Sequence, residues 1–315
     1  MREMIPGMIS VIIPTYNRLA MLLELLSTLR EQDYPDVEIL VVDDGASDGT
    51  REAMTASDAG VRYFRNERNS GPGFSRKRGF SEARGEYLVF ADDDDYYTDP
   101  SFFSRAADAL RTDEVHALSF VAANARILYA DTNRLEDAPL PMEGRIPAAD
   151  YLAGFSREYP KPLSTFPAVF RREALERSGL SESMQVDDRV IYLRALLEGD
   201  AFVLPDVIGV YRIHTSNFSA TVSADFVMSL QRENRWIYDE ICRRHLLANP
   251  DSWWYEQSWI AIRFYIQNPS SDLSGLLRIF RFLRKQRISL RRDAALFKQS
   301  LAYWYARRRA SSAGK

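Results

Sequence analysis

Residues 9–95 repeat one arrangement: a short apolar run, a polar cluster at its end, then a segment with helical spacing. Ile9–Ile13 is a β-branched run ended by Pro14 and followed by Thr15, Tyr16, Asn17 and Arg18. Val37–Val42 stops at Asp43-Asp44-Gly45, and Tyr87–Ala91 runs into Asp92-Asp93-Asp94-Asp95. Val61–Phe64 is a further run of the same kind. Between them, Leu22, Leu25, Leu26 and Leu29 share one face of a helix over 19–30, Asp48-Gly49-Thr50 opens a short helix, and 71–83 reads as a glycine-led helix. Apolar runs without alternation are buried on both faces, as in a parallel sheet covered by helices. The β-α-β-α order therefore predicts a doubly wound α/β domain. In such sheets the ligand crevice lies beyond the carboxyl ends of the strands, so the three polar clusters are expected to converge there.

Composition narrows the classes. The chain has 315 residues, 46% of them hydrophobic, which allows a large core and roughly two domains. Cys242 is the sole cysteine, which excludes an intramolecular disulfide framework and a cysteine-only zinc site. Three histidines leave little room for a histidine-rich metal centre. No apolar run approaches the roughly 18 residues of a membrane-spanning helix. Met1–Met8 lacks the basic-then-apolar layout of a signal peptide, so a reducing, cytoplasmic setting is expected. The net charge of −3 hides an asymmetry: residues 273–315 hold twelve Lys/Arg and one acid, a net +11, which leaves −14 for the rest. An acidic body with a basic tail points to two different partners.

Beyond residue 95 the pattern is mixed. Val115–Phe120 and Ala125–Tyr129 are predicted as two strands, Leu135–Pro147 as a loop, 171–177 and 189–197 as helices, and 203–212 as containing a short strand. From about residue 223 the spacing is helical, with breaks near Asn249-Pro250 and Asn268-Pro269. The expected domains are 1–220 and 221–315.

Several residues can carry chemistry. Four adjacent carboxylates repel one another unless a cation or strong donors offset them. Mg²⁺ commonly takes one or two carboxylates and completes its shell with water and phosphate oxygens; a solvated acidic loop is the plain alternative. Asp43 and Asp44 either form a turn before Gly45 or offer a buried acceptor to a nucleobase N–H. Gly71-Pro72-Gly73 leads into Ser75, Arg76, Lys77 and Arg78, a helix start that suits a diphosphate. No GxGxxG follows the first run and no GxxxxGK[ST] occurs, which argues against a dinucleotide fingerprint and a P-loop. Asp187-Asp188 opens a helical stretch as caps, or supplies a general base beside the crevice. His214 follows Tyr211-Arg212-Ile213 and is read either as structural or as a ligand.

In order and spacing, the segments VIIPTYNR (11–18), ILVVDDGASDGT (39–50), NSGPGFSRKRG (69–79), GEYLVFADDDD (85–95), the 179–194 region and YRIH (211–214) resemble family 2 glycosyltransferases across residues 8–217. The resemblance implies the GT-A fold, a nucleotide-diphospho-sugar transferase fold with a Rossmann-like mixed sheet flanked by helices, here carrying a C-terminal helical extension. It implies a nucleotide site made of Pro14, Thr15, Tyr16, Asn17, Arg18, Asp44, Gly71, Arg76, Asp92 and Asp93, with Asp44 facing the pyrimidine. Asp92 and Asp94 match the acids of the D-x-D motif, Asp94 as the direct ligand of Mn²⁺ or Mg²⁺ and His214 as a further ligand. Asp188 matches the second acid of the family's Glu-Asp pair and would be the catalytic base; the first acid is here Asp187. Arg212 and Asp187 are assigned toward the diphosphate or acceptor.

The reaction implied by the resemblance is an inverting transfer from a UDP-sugar, or a dTDP-sugar, to a glycan or lipid-linked acceptor in bacterial envelope polysaccharide synthesis. A silent sugar-nucleotide-binding scaffold and a nucleotidyltransferase are the alternatives. Trp253, Trp254, Tyr255 and Trp259 are read as packing. Leu273, Leu276, Leu277, Phe280 and Leu283 share a helix face opposite Arg278, Arg281 and Lys285. That pattern reads either as an ordinary surface helix with a solvated basic face or as an interfacial helix, and the second implies a peripheral location on an anionic membrane through 273–315. No motif supports nucleic-acid binding.

Overall fold

The computed structural model describes residues 3–56, 60–113, 115, 117–184, 186–214, 222–286 and 288–313. The chain divides into two compact units, Met1–His214 and Thr215–Lys315. The boundary expected at 220/221 lies outside the described residues.

The first unit is built on a mixed sheet of ten strands among the described residues: β1 (Ile5–Thr15), β2 (Val37–Asp43), β3 (Val61–Arg65), β4 (Gly85–Phe90), β5 (Tyr96–Tyr97), β6 (Leu118–Tyr129), β7 (Arg134–Ala138), β8 (Gly144–Ile146), β9 (Ala168–Arg171) and β10 (Asp200–Ile213). Their order is β3-β2-β1-β4-β9-β6-β10-β5, with β7 on β6 and β8 on β10. The first four strands run parallel, as their apolar runs predict. On one face Ile9, Val11 and Ile13 pack with Leu22, Leu25, Leu26 and Leu29 of the Leu19–Arg30 helix. On the other face Ile12 lies so close to Gly79 of the Pro72–Glu82 helix that a Cβ there would fall 2.3 Å from the isoleucine γ2 methyl. Burial on both faces removes the polar–apolar alternation from the strand sequence.

Pro14 is expected to end the first strand, yet β1 continues through it, pairing Pro14 with Val42 and Thr15 with Asp43. The ladder explains why. Ala91 N donates to Ile12 O on one side of β1 and Asp44 N donates to Thr15 O on the other, so Pro14 faces β4 beyond its last paired residue, Phe90. The missing N–H therefore costs no sheet bond.

Three other expectations are corrected. The two strands predicted over 115–129 form one, because Val121-Ala122 pair with Val169-Ala168 and carry the strand across a stretch of weak strand formers. Leu135–Pro147 is not a plain loop: it holds most of β7 and all of β8. Pro139 and Pro141 lie between those strands, and Pro147 precedes the Ala148–Ala153 helix, so the prolines punctuate the segment rather than dissolve it. The short strand expected within 203–212 is part of the 14-residue β10.

The second unit consists, in its described part, of the helices Ala224–Arg243, Pro250–Gln267, Leu273–Leu283 and Leu290–Ala313. Ser223, Asn249 and Asp272 cap the first three by accepting from Phe226 N (3.1 Å), Ser252 N (3.1 Å) and Gly275 N (2.6 Å). Trp253 and Trp254 are buried, as packing predicts. The interfacial face expected over 273–287 is largely consumed in that packing. Leu276 and Leu283 are buried with Ile279, Phe280 meets Phe297 edge-on at 4.8 Å, and Leu277 is exposed. No described helix is long and apolar enough to cross a membrane.

Close approach also fixes how the strand end that carries the aspartates is held. Gly209 of β10 pairs with Tyr97 of β5, and a Cβ on it would lie 2.5 Å from Tyr96 O and 2.7 Å from the Phe166 ring. Gly209→Ala should therefore lower unfolding stability by about 1–3 kcal/mol in urea titration. A variant as stable as the parent would show that β5 is not clamped by this contact.

Candidate active site

The polar clusters at the ends of β1, β2 and β4 meet as the sheet order requires. Thr15 Oγ1 donates to Asp93 Oδ2 (2.7 Å), and Arg18 Nη1 bridges Asp93 Oδ1 (2.9 Å) and Asp94 Oδ2 (2.8 Å). Asn17, with φ +54°, accepts from Ser47 N through its Oδ1 (2.7 Å) and ties this loop to the one after β2. Pro14 is buried beneath them and Tyr16 is exposed.

The two acids after β2 divide the work. Asp43 accepts from Ala46 N, Tyr63 OH and Arg65 Nη1 and holds the turn. Asp44 accepts from Asn66 Nδ2 (2.8 Å), Ser70 N (2.9 Å) and Gly71 N (2.7 Å). Gly71 has φ +88°, a backbone that L side chains rarely adopt, and with it presents its N–H to Asp44. A carboxylate has about four lone-pair sites, so Asp44 keeps room for one further donor.

Asp92, Asp94 and Asp95 each place one carboxylate oxygen within 4.8 Å of the others. Burial, against the opposing pull of Arg76, raises the Asp92 pKa above the usual carboxylate range; burial and then the neighbouring Asp94 and Asp92 raise Asp95 well above it. Asp95 Oδ1 accepts from Arg212 N (3.3 Å), whereas its buried Oδ2 has no hydrogen-bond partner among the described residues. A buried, unpartnered carboxylate oxygen facing two other carboxylates is a donor set suited to a hard divalent cation. His214 Nε2 lies 2.8 Å from Asp94 Oδ2, at the edge of this cluster.

Arg76 joins the cluster to the helix that begins at Asp188. Its buried guanidinium reaches Asp92 Oδ1 (2.5 Å) and Asp188 Oδ1 (3.1 Å) through Nη2, and Val186 O (3.3 Å) through Nη1. Burial alone would lower the Arg76 pKa, but Asp92 and Asp188 outweigh it and raise it. Asp187 caps the helix by accepting from Val190 N through Oδ1 (2.8 Å), the capping role weighed from the sequence. The other oxygen of Asp188 lies 3.7 Å from Lys161 Nζ, which also donates to Pro162 O and Leu163 O. The Arg212 guanidinium pairs with Glu24 (2.8 Å) and lies over the Tyr96 ring, and its backbone N–H donates to Asp95 Oδ1.

Sequence reasoning did not single out Lys161, Ser164 or Asp95 for this site. Ser164 Oγ is 3.5 Å from Asp92 Oδ2 and is held by Tyr192, whose hydroxyl donates to Ser164 O (3.0 Å). Lys161 and Ser164 carried no local motif; Asp95 did, as the last member of the aspartate run. Taken together, the five carboxylates of Asp92–Asp95 and Asp188 meet three cations, Arg18, Arg76 and Lys161. With all eight ionised, the excess of two negative charges is what one divalent cation offsets.

The family model described as glycosyl transferase family 2 matches residues 10–179. A GalNAc(5)-diNAcBac-PP-undecaprenol beta-1,3-glucosyltransferase of Campylobacter jejuni is 28% identical over 223 residues, 69% of this chain and 68% of that protein. The poly(ribitol-phosphate) beta-N-acetylglucosaminyltransferase TarS of Staphylococcus aureus is 37% identical over 103 residues, 31% of this chain and 18% of TarS. Some of the curated relatives are thus much longer than the part this chain matches. In three dimensions, TarS 1–349 in complex with UDP-GlcNAc superposes with a TM-score of 0.64 at 21% identity, over 88% of this chain and 79% of that one. The mannosyltransferase PcManGT of Pyrobaculum calidifontis, in complex with GDP-Man and Mn²⁺, gives 0.52 at 19% identity, over 94% and 79%. The fold is that of the GT-A glycosyltransferases.

The buried acids make a pH test available. Burial, opposed by Arg18, pushes Asp93 up to about 6. The folded chain therefore holds a proton that the unfolded chain releases, and this group's contribution to stability is present below its unfolded pKa of 3.8 and lost as pH rises through about 6. In chelator-treated protein, the stability of Asp93→Asn relative to the parent should improve between about pH 4 and 7, by on the order of 3 kcal/mol in urea unfolding. A pH-independent difference would contradict the buried, proton-holding environment.

Proposed function

The chain belongs to glycosyl transferase family 2, and we propose that it moves a sugar from a nucleoside diphosphate donor to a hydroxyl of a glycan or lipid-linked acceptor, with inversion. The observation that carries the reading is the Arg76 bridge, which ties Asp92 of the metal-type cluster to Asp188. A donor diphosphate at the cluster and an acceptor hydroxyl at Asp188 would then be adjacent. A UDP-sugar is the first choice of donor and a dTDP-sugar the second, since Asp44 keeps an acceptor site that would suit a pyrimidine N–H. TarS in complex with UDP-GlcNAc supports that choice. The Campylobacter relative, whose name includes PP-undecaprenol, supports a lipid-linked acceptor in bacterial glycan synthesis.

Asp92, Asp94 and Asp95, with His214 beside them, would hold Mn²⁺ or Mg²⁺, which when bound supplies neutralisation of the charge that develops on the departing diphosphate. The chain's own groups do the rest. Asp188 Oδ2 takes the proton of the acceptor hydroxyl while Oδ1 stays fixed by Arg76. The acceptor oxygen bonds to the anomeric carbon, the carbon–oxygen bond to the diphosphate breaks, and its electron pair leaves with the nucleoside diphosphate. One displacement inverts the configuration. Lys161 Nζ, 3.7 Å from Oδ2, helps to orient that oxygen. Arg18 keeps Asp93 and Asp94 in place against their mutual repulsion.

Removing the base without changing its shape is the direct test. Asp188→Asn should lower UDP release from UDP-glucose and UDP-N-acetylglucosamine, assayed with undecaprenyl-linked glycan acceptors, by about 10²–10⁴-fold while nucleotide affinity changes only a few-fold. Undiminished turnover would remove Asp188 from the reaction.

A further inference from the structure

The Leu290–Ala313 helix presents two unlike sides. Leu296 and Ser300 are buried, and Phe297 faces the neighbouring Leu273–Leu283 helix through Phe280. The single acid of the helix, Asp293, accepts from Tyr255 OH (2.6 Å) and is thus turned inward. On the opposite side, Arg291, Ala295, Lys298, Ala302, Tyr305 and Arg309 follow one another at three- and four-residue steps and are all exposed. Such steps align residues along one stripe of a helix. At 1.5 Å per residue the stripe is about 27 Å long. Among the described residues no ion pair engages Arg291, Lys298 or Arg309, in contrast with Arg278 on the adjacent helix, which pairs with Asp225 at 2.6 Å.

We propose that this outward stripe is an electrostatic docking surface for an anionic phospholipid bilayer. Its chemistry fits a flat, negatively charged plane. The cations are spread over most of the length of one helix, and no acid lies among them on the stripe. The alanines between them let the helix lie close to a surface. Tyr305, 50% exposed, offers the apolar body and polar tip that favour a headgroup region. The surface differs from the interfacial helix read from the sequence: it lies on the following helix, and it works by charge with little apolar insertion, because the apolar residues of 273–283 are mostly packed inside the unit. The proposal is independent of the donor-site reading, since vesicle binding needs neither nucleotide nor metal.

A lysine or arginine near an anionic bilayer strengthens binding about five-fold, so three together are worth on the order of 100-fold. The full chain should cosediment with vesicles of phosphatidylcholine containing about 30% phosphatidylglycerol and not with phosphatidylcholine alone, and should release between about 0.05 and 0.5 M NaCl. Arg291→Glu/Lys298→Glu/Arg309→Glu should lose at least the 100-fold while its unfolding midpoint holds, because all three side chains are exposed. Arg30→Glu/Arg51→Glu/Arg157→Glu, with the same change in net charge on exposed positions of the first unit, should keep binding within a few-fold. Equal loss in both triple variants would overturn the proposal in favour of net charge alone. Absence of binding to the anionic vesicles at low salt would overturn it outright, and so would salt-sensitive capture of single-stranded RNA in their place.

Discussion

Four consecutive aspartates at the end of a buried strand are the constraint around which the first unit is arranged. Two like charges about 4 Å apart repel by roughly 4 kcal/mol at the effective dielectric of a protein near its surface. Several such pairs would consume the 5–15 kcal/mol by which a typical domain is stable. The fold meets this with fixed cations and donors. Arg18 spans Asp93 and Asp94, Thr15 donates to Asp93, and Arg76 reaches Asp92 from a different helix. What is left over, protonated or ionised according to pH, is a small excess of negative charge on Asp92, Asp94 and Asp95. The same excess is what the proposed divalent cation would offset, so the cost in stability and the proposed chemistry have one origin.

The scaffold exists to place these groups and little more. β1 lies between β2 and β4, so the three loops that leave their carboxyl ends are neighbours whatever their sequences. Pro14 stiffens the exit of β1 at the one side of the strand where no ladder bond is asked of it. Gly71 turns its N–H to Asp44 and starts the helix that carries Arg76. Arg76 then links the parallel half of the sheet to the helix headed by Asp187 and Asp188. Each link is short and made by a buried or half-buried group, which is why the geometry of the candidate base depends on residues more than a hundred positions away in the chain.

Much of this was legible in the sequence, for a physical reason. A strand buried on both faces must be continuously apolar, so the four parallel strands and the polar clusters at their ends stand out. Helix starts were legible at Asp187 and Asp48 because the first turn of a helix favours few residue types. The strand–helix alternation also implied that the clusters after β1, β2 and β4 meet at one end of the sheet. The misses are of another kind. The join across 121–124 depends on what β9 and β10 offer that segment, which no local propensity encodes. Lys161 and Ser164 arrive at the site from a proline-rich segment without a motif of their own. On the 273–283 helix, amphipathicity revealed an apolar face but could not say whether a membrane or other helices would cover it; Leu276 and Leu283 are covered by protein.

The central claim is that the acid cluster and Asp44 belong to a single nucleotide site completed by a divalent cation. Calorimetric titration of the purified protein with UDP, dTDP and GDP, each with Mn²⁺ and again with a chelator, tests it most directly. A pyrimidine nucleotide should bind in Mn²⁺, with GDP weaker and the affinity largely lost in the chelator. Equal affinity with and without metal, or no binding of any nucleotide in either condition, would contradict it.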